Sequence, residues 1–217
     1  MQFRDFQQQL SHYPVFSLQD VRKALPSFSY RQLDRWEKSG YLRKIRQRYY
    51  CFVDHESDQN FLFSAANKIY NPSYISLEMS LKWYGLIPEE IFQITSVSTR
   101  KTTSFSTPVG NFKYQQLKPS LFFGYRLLAG GEDSPSLASR KEPMILMAEL
   151  EKAILDYLYL NPRLKTADDF RGMRINVEEL QRKMDGQKLN RYLDAFGSKA
   201  LRRRSELFLK TLHHDFS

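Results

Sequence analysis

The segment Ser29-Tyr30-Arg31-Gln32-Leu33-Asp34-Arg35-Trp36-Glu37-Lys38-Ser39-Gly40 runs directly into Tyr41-Leu42-Arg43-Lys44-Ile45-Arg46-Gln47-Arg48-Tyr49-Tyr50-Cys51-Phe52-Val53, and the two halves follow different periods. Before Gly40, Leu33 and Trp36 stand three apart, which is the spacing of a buried helix face. Ser29 is placed to cap that helix and Gly40 to end it as a C′ residue, giving a predicted helix over 30–39. Beyond Gly40, Leu42, Ile45, Tyr50 and Phe52 suit two short strands around a turn near Gln47.

Toward the N-terminus, Ser17 is a good cap for Leu18-Gln19-Asp20-Val21-Arg22-Lys23-Ala24-Leu25, whose Leu18, Val21 and Leu25 make one apolar stripe. Pro26 stops that helix, and Ser27 to Ser29 leave only a tight turn before the next one. A first helix is expected near residues 3–11, with Phe3, Phe6 and Leu10 on one side. Two short helices around a tight turn, followed by a hairpin, are the order of a winged helix-turn-helix, so residues 1–55 are expected to form one. In such a unit the second helix lies in the DNA major groove, with its N-terminal residues nearest the bases.

Charge sharpens this expectation. The chain of 217 residues has 33 Lys and Arg against 24 Asp and Glu, a net charge of +9. The excess is uneven: residues 1–55 carry 10 basic and 5 acidic groups, residues 56–139 carry 7 of each, and residues 140–217 carry 16 and 12. Between positions 22 and 50 nine basic side chains face only Asp34 and Glu37. A charge run alone is compatible with a merely solvated face. Here it coincides with the predicted groove helix and wing. Ser29, Tyr30, Arg31, Gln32 and Arg35 lie off the Leu33/Trp36 stripe and can face outward; Arg suits guanine and Gln suits adenine. Lys38, Arg43 and Lys44 flank that helix, and Arg46, Gln47 and Arg48 at the wing tip can reach a phosphate or the minor groove.

The rest of the chain reads as α+β. Helical periodicity resumes over 61–70 and again from a Ser76 cap to Gly85. Residues 91–99 are rich in β-branched side chains, 104–107 and 111–117 flank Pro108-Val109-Gly110 as a hairpin, and 121–127 and 143–147 are further candidate strands. A strong helix is expected from Ala148 until Pro162, then a loop around Asp168, Asp169 and Phe170, then helices near 176–184, 187–196 and 198–213. The expected organisation is a winged helix-turn-helix over 1–55, a mixed α+β domain over 60–160 and a helical segment over 161–217. Lys199, Arg202, Arg203 and Arg204 form a second basic cluster, readable as a solvated helix face, a phosphate contact or a partner surface.

Composition excludes several classes. With 41% hydrophobic and 14% aromatic residues the chain has material for a core, and its longest apolar runs fall well short of the roughly 20 residues needed to span a bilayer. The N-terminus lacks a basic-then-apolar leader, and the single Cys51 precludes an internal disulfide, so a reducing, cytoplasmic setting is expected. His12, His55, His213 and His214 show no metal-ligand spacing, and Gly130-Gly131 is not followed by the Lys-Ser/Thr of a phosphate loop. Cys51, within a wing strand, reads as packed rather than nucleophilic. A nuclease is the strongest enzymatic rival, but an acid two residues before a catalytic Lys is missing: Leu150 stands there before Lys152. Glu149 and Glu151 read instead as favourable charges at a helix N-terminus. No enzyme, metal or cofactor constellation is expected.

Several segments, in order, resemble one known family: the winged-helix end Ser39 to Tyr50, the stretch Ile75-Ser76-Leu77-Glu78-Met79-Ser80-Leu81-Lys82-Trp83-Tyr84-Gly85-Leu86-Ile87-Pro88-Glu89, the run Gln93 to Thr99, the segment Thr107 to Tyr114, and Ala148-Glu149-Leu150-Glu151-Lys152-Ala153-Ile154-Leu155-Asp156. Together they are similar to the AbiEi family, the antitoxins and transcriptional regulators of type IV toxin-antitoxin, or abortive infection, systems. The likeness covers roughly residues 10–160. It implies an N-terminal winged helix that binds double-stranded DNA at its own promoter and represses its operon, followed by a domain that counters a nucleotidyltransferase-type toxin, without direct contact being required. Family wings often carry Arg-Gly before the Tyr of the last strand; Gln47-Arg48 takes that place here. A stand-alone winged-helix regulator, or a module binding protein or RNA, is the alternative, and a homodimer on DNA is one arrangement. No membrane partner is expected.

Overall fold

A computed structural model describes residues 1–55, 58–129 and 144–214. The protein is α+β, with helices packed around two sheets. In the N-terminal unit, α1 (Phe3–Leu10), β1 (Val15–Ser17), α2 (Leu18–Ala24) and α3 (Arg31–Lys38) lead into the hairpin β2 (Leu42–Arg46) and β3 (Tyr49–Phe52). The strands form an antiparallel sheet in the order β1-β3-β2. Phe6, Leu10, Phe16, Val21, Leu33, Trp36, Leu42, Tyr50 and Phe52 make its core. The Ser17 cap is formed as expected: its hydroxyl accepts from the Asp20 amide at 3.2 Å, and the Asp20 carboxylate accepts from the Ser17 amide at 2.7 Å. The three-residue β1 was not anticipated, because a single Val15-Phe16 pair carries no readable period.

The other face of this small sheet does not meet solvent. Val15, Ile45 and Cys51 join Phe61, Phe63, Ile69 and Phe112 in a second apolar cluster beneath α4 (Gln59–Ile69). Cys51 is therefore fully buried, with its thiol toward the Arg43 carbonyl. The N-terminal unit is seated on the rest of the molecule through apolar contact.

The larger sheet contains β4 (Ser73–Ile75), β5 (Gln93–Ser98), β6 (Thr103–Thr107), β7 (Gly110–Gln116), β8 (Tyr125–Ala129) and β9 (Met144–Ala148) in the order β6-β7-β5-β4-β9-β8. It is mixed: β5 and β7 are parallel, as are β4 and β9, and the other pairs are antiparallel. One face carries α4; the other carries α5 (Leu77–Trp83) and α6 (Leu150–Leu160). The predicted strand over 121–127 begins later, at Tyr125, because a single 3-10 turn occupies Pro119–Leu121. Ser76 precedes α5 as expected, but its hydroxyl donates to Asp156 rather than capping the helix.

Helices α7 (Ala167–Gly172), α8 (Val177–Lys183), α9 (Gly186–Phe196) and α10 (Lys199–His214) complete the chain. The expected loop at Asp168 to Phe170 is instead α7, held by a reciprocal Thr166/Asp169 capping box. The C-terminal helices share one apolar cluster with α5 and α6, in which Phe170, Leu193, Leu201 and Phe208 meet Leu81, Ile154 and Leu158. At its centre Lys152 and Asp156, both fully buried, pair one turn apart on α6. Lys152 also donates to the Tyr74 hydroxyl at 2.8 Å, and Asp156 accepts from Tyr74 and Ser76, each at 2.9 Å. Burial pushes the Asp156 carboxyl up and the Lys152 amine down from their ordinary ranges, and each charge opposes the other's shift. Among the described residues no helix is long and apolar enough to cross a membrane. The Gly130-Gly131 pair lies outside the described residues, as do the side chains of His55, His213 and His214.

Candidate nucleic-acid interface

Helix α3 forms because Leu33 and Trp36 anchor one side in the N-terminal core, where Trp36 meets Phe3 at 5.3 Å and Phe6 at 4.8 Å between ring centroids. Fixing that side turns Arg31, Asp34, Arg35 and Lys38 outward, at positions one helical turn apart, and all four are exposed. Arg31, Arg35 and Lys38 have no ion-pair partner among the described residues. Ser29 and Tyr30 are exposed at the start of the helix. Ser29 does not cap it, however: Tyr30 occupies the cap position in a helical conformation, and Ser29 contributes its backbone carbonyl to the Gln32 amide at 3.0 Å. Gln32 is half-buried, and its side-chain oxygen is enclosed without a hydrogen-bond partner among the described residues. Beneath the helix, burial, with Glu37 and Asp34, raises the pKa of Tyr50 above its ordinary value.

The hairpin tip divides the wing candidates. Gln47 and Arg48 form its turn and are exposed. Arg48 has φ of 70°, the left-handed conformation that glycine adopts without strain. Lys44 is exposed on β2, and Arg43 is half-buried and engaged. Arg46 departs from the expected wing-tip placement. The register slips between Lys44 and Arg46, leaving Ile45 as an extra residue, and this bulge turns Arg46 toward the body. Its guanidinium donates to the Ile69 carbonyl at 3.2 Å and lies 3.8 Å from the Phe105 ring centroid. Arg46 therefore fastens the hairpin to α4 and β6.

A second fastening lies at α2. Asp20 pairs with Lys68 of α4 at 2.9 Å and accepts from the Ser17 hydroxyl at 2.7 Å. Burial works against the Asp20 carboxylate, but the hydrogen bonds from Lys68 and Ser17 outweigh it and hold its pKa below the usual carboxylate range. Sequence reasoning missed this residue, since its partner lies 48 positions away.

The C-terminal basic cluster is differently placed. Arg202 pairs with Asp194 at 2.6 Å, and Arg204 donates to the Leu158 carbonyl at 2.8 Å. Only Lys199 and Arg203 of that set remain exposed without an ion-pair partner among the described residues. Glu149 and Glu151, the residues weighed for nuclease chemistry, line a cavity of about 720 Å³ with Lys82, Trp83, Arg126 and Lys188. Their contacts are internal. Glu149 accepts from Tyr192, Glu151 accepts from the Asp185 amide at 2.8 Å, and Lys188 lies 3.6 and 3.7 Å from the two carboxylates. The two acids thus brace α9 against the start of α6. No group of three or more His, Cys, Asp or Glu able to hold a metal occurs among the described residues.

No protein-family model matches the chain, and no curated protein matches its sequence.

Proposed function

We propose that the protein is a sequence-specific double-stranded DNA-binding transcriptional regulator, with residues 1–55 acting as a winged helix-turn-helix. The observation that carries this reading is the outer face of α3, where Arg31, Arg35 and Lys38 stand exposed and without ion pairs among the described residues, on a helix whose inner face is locked by Leu33 and Trp36. Uncompensated cations on a rigid helix release counterions from a phosphate backbone when they bind it. Ser29, Tyr30, Arg31 and Arg35 meet base edges and the nearest phosphates, and Lys38, Lys44, Gln47 and Arg48 position the duplex. Gln32 and Arg43 contribute less, being half-buried, and Arg46 acts by holding the hairpin to the body.

The resemblance to the AbiEi family extends the proposal. The protein represses its own operon and serves as the antitoxin of a type IV system, opposing a nucleotidyltransferase-type toxin, and it performs no catalysis of its own. Purified protein titrated against duplex from upstream of its own gene tests the core of this reading. Salt-dependent binding with preference for that sequence is expected, and Arg31→Ala with Arg35→Ala abolishes the preference. Absence of such binding, or tighter binding to single-stranded RNA than to the duplex, overturns it. A nucleotidyltransferase gene next to this one, whose product arrests growth only when this protein is absent, is the expected result for the antitoxin role.

A further inference from the structure

The even charge balance of residues 56–139 conceals a segregation. From 91 to 129 the chain has five basic residues, Arg100, Lys101, Lys113, Lys118 and Arg126, and no Asp or Glu. Arg126 lies on β8, at one edge of the large sheet, whereas the other four gather on and around β5, β6 and β7 at the opposite edge. The fold brings them together. Leu117 donates its amide to the Ser98 carbonyl at 2.8 Å, and the Gln116 amide donates to the Thr102 hydroxyl at 3.0 Å. These bonds set the 99–102 turn beside residues 116–118, so Arg100, Lys101 and Lys118 share one end of the sheet. Arg100, Lys101 and Lys118 are exposed; half-buried Lys113, paired with Ser104, alternates with Phe112 and Tyr114 on β7 and so lies on the face of the sheet away from the hairpin. None of the four has an ion-pair partner among the described residues.

This end of the sheet adjoins the N-terminal hairpin. Phe105, under the Arg46 guanidinium, meets the Tyr70 ring edgewise at 5.7 Å, and Arg100 lies 4.3 Å over the Tyr70 ring centroid. The Tyr70 hydroxyl donates to the Lys101 carbonyl at 2.7 Å, which holds the turn against the same aromatic ledge. The hairpin and the 99–102 turn thus flank one aromatic ledge, that of Phe105 and Tyr70.

We propose that the surface formed by Arg100, Lys101 and Lys118 is a second phosphate-backbone contact that extends the duplex footprint from the hairpin onto the large sheet. The inference rests on the duplex-binding reading above. It assigns these residues a positioning role, since exposed cations at the end of a sheet contact phosphates without reading bases. A chain bound in this way holds its duplex rigidly relative to the body, because Arg46 and the Asp20–Lys68 pair tie the two units together.

The test uses the full chain carrying Arg100→Ala, Lys101→Ala and Lys118→Ala together, titrated against the upstream duplex over about 50 to 200 mM salt. Each phosphate contact contributes about 0.9 to the slope of log affinity against log salt, so the slope is expected to fall by about 2 to 3 with sequence preference retained. A control with the same charge change, Lys165→Ala, Lys199→Ala and Arg203→Ala, is expected to keep the wild-type slope. Wild-type binding whose slope is unchanged in the first triple variant, or reduced equally in both, overturns this inference and leaves the N-terminal reading standing. Wild-type protein that binds no duplex overturns both.

Discussion

Helix α3 and helix α10 are both rich in arginine and lysine, and a count along the sequence treats them alike. Their surroundings differ. On α3 one side is buried by Leu33 and Trp36, and Arg31, Arg35 and Lys38 project from the other without ion pairs among the described residues. On α10, Arg202 is taken by Asp194 and Arg204 by the Leu158 carbonyl, so half of the cluster ties the C-terminal helices to each other and to α6. Elsewhere in the body other cations are paired: Lys152 with Asp156, Lys188 with Glu149 and Glu151, Arg182 and Lys183 with Glu179. A cation with a partner contributes to folding or to nothing measurable, whereas an uncompensated one on a fixed helix is available to a polyanion. The difference separates substitutions that alter stability from those that alter binding.

The largest effect is expected inside the body. Asp156→Ala removes the partner of the fully buried Lys152 amine and an acceptor for Tyr74 and Ser76, and should cost about 3–5 kcal/mol in urea denaturation. A loss below about 1 kcal/mol would show that the pair does not hold the core. Asp20→Asn comes next, at about 1–2 kcal/mol, since it weakens both the α2 cap and the bridge to Lys68. Its pH dependence has a definite sign. The folded carboxyl titrates below its unfolded value of about 3.9, so its contribution is fully present above that pH and is lost as pH falls through the folded value. The stability gap between wild type and Asp20→Asn should therefore be flat above about pH 5 and close in stronger acid.

Smaller effects distinguish the two classes of cation. Arg48→Gly relieves a left-handed residue at the hairpin turn and should raise stability by about 0.5 kcal/mol, while lowering the salt slope of duplex binding by about 0.9. Opposite signs in the two assays from one substitution would be hard to obtain from a residue that is only structural. Arg31→Ala with Arg35→Ala should change stability by less than about 0.5 kcal/mol and concentrate its effect in binding. A melting curve for that variant that is clearly shifted would place those arginines in the fold instead.

Much of this architecture is legible in the residue order. The Ser17-to-Pro26 helix, the Gly40 stop, the hairpin and the Thr107-to-Gly110 turn, and the helices after Asn176 follow from caps, breakers and apolar spacing, because each signal is local. The elements that escaped are too short to show a period: β1 and β4 span three residues each, and α7 spans six, marked only by the Thr166/Asp169 box. At the interface, the residue types of α3 reveal which side is buried and hence which faces outward. The fate of Arg46 is not legible, because it depends on a one-residue bulge and on Ile69 and Phe105 arriving from elsewhere in the chain. Pairing of Arg202 and Arg204, and the Lys68 grip on Asp20, are likewise long-range facts. The buried Lys152–Asp156 pair looks, in sequence, like an ordinary surface ion pair one turn apart.

The central claim is that unpaired cations on α3, rather than total positive charge, carry duplex binding. Its most direct measurement is the salt dependence of binding to the upstream duplex for two charge-matched variants of the full chain. One carries Arg31→Ala, Arg35→Ala and Lys38→Ala; the other carries Lys199→Ala, Arg202→Ala and Arg203→Ala. The account predicts that the slope of log affinity against log salt falls by about 2 to 3 in the first and stays at the wild-type value in the second. Equal losses in both, or an unchanged slope in the first, would contradict it.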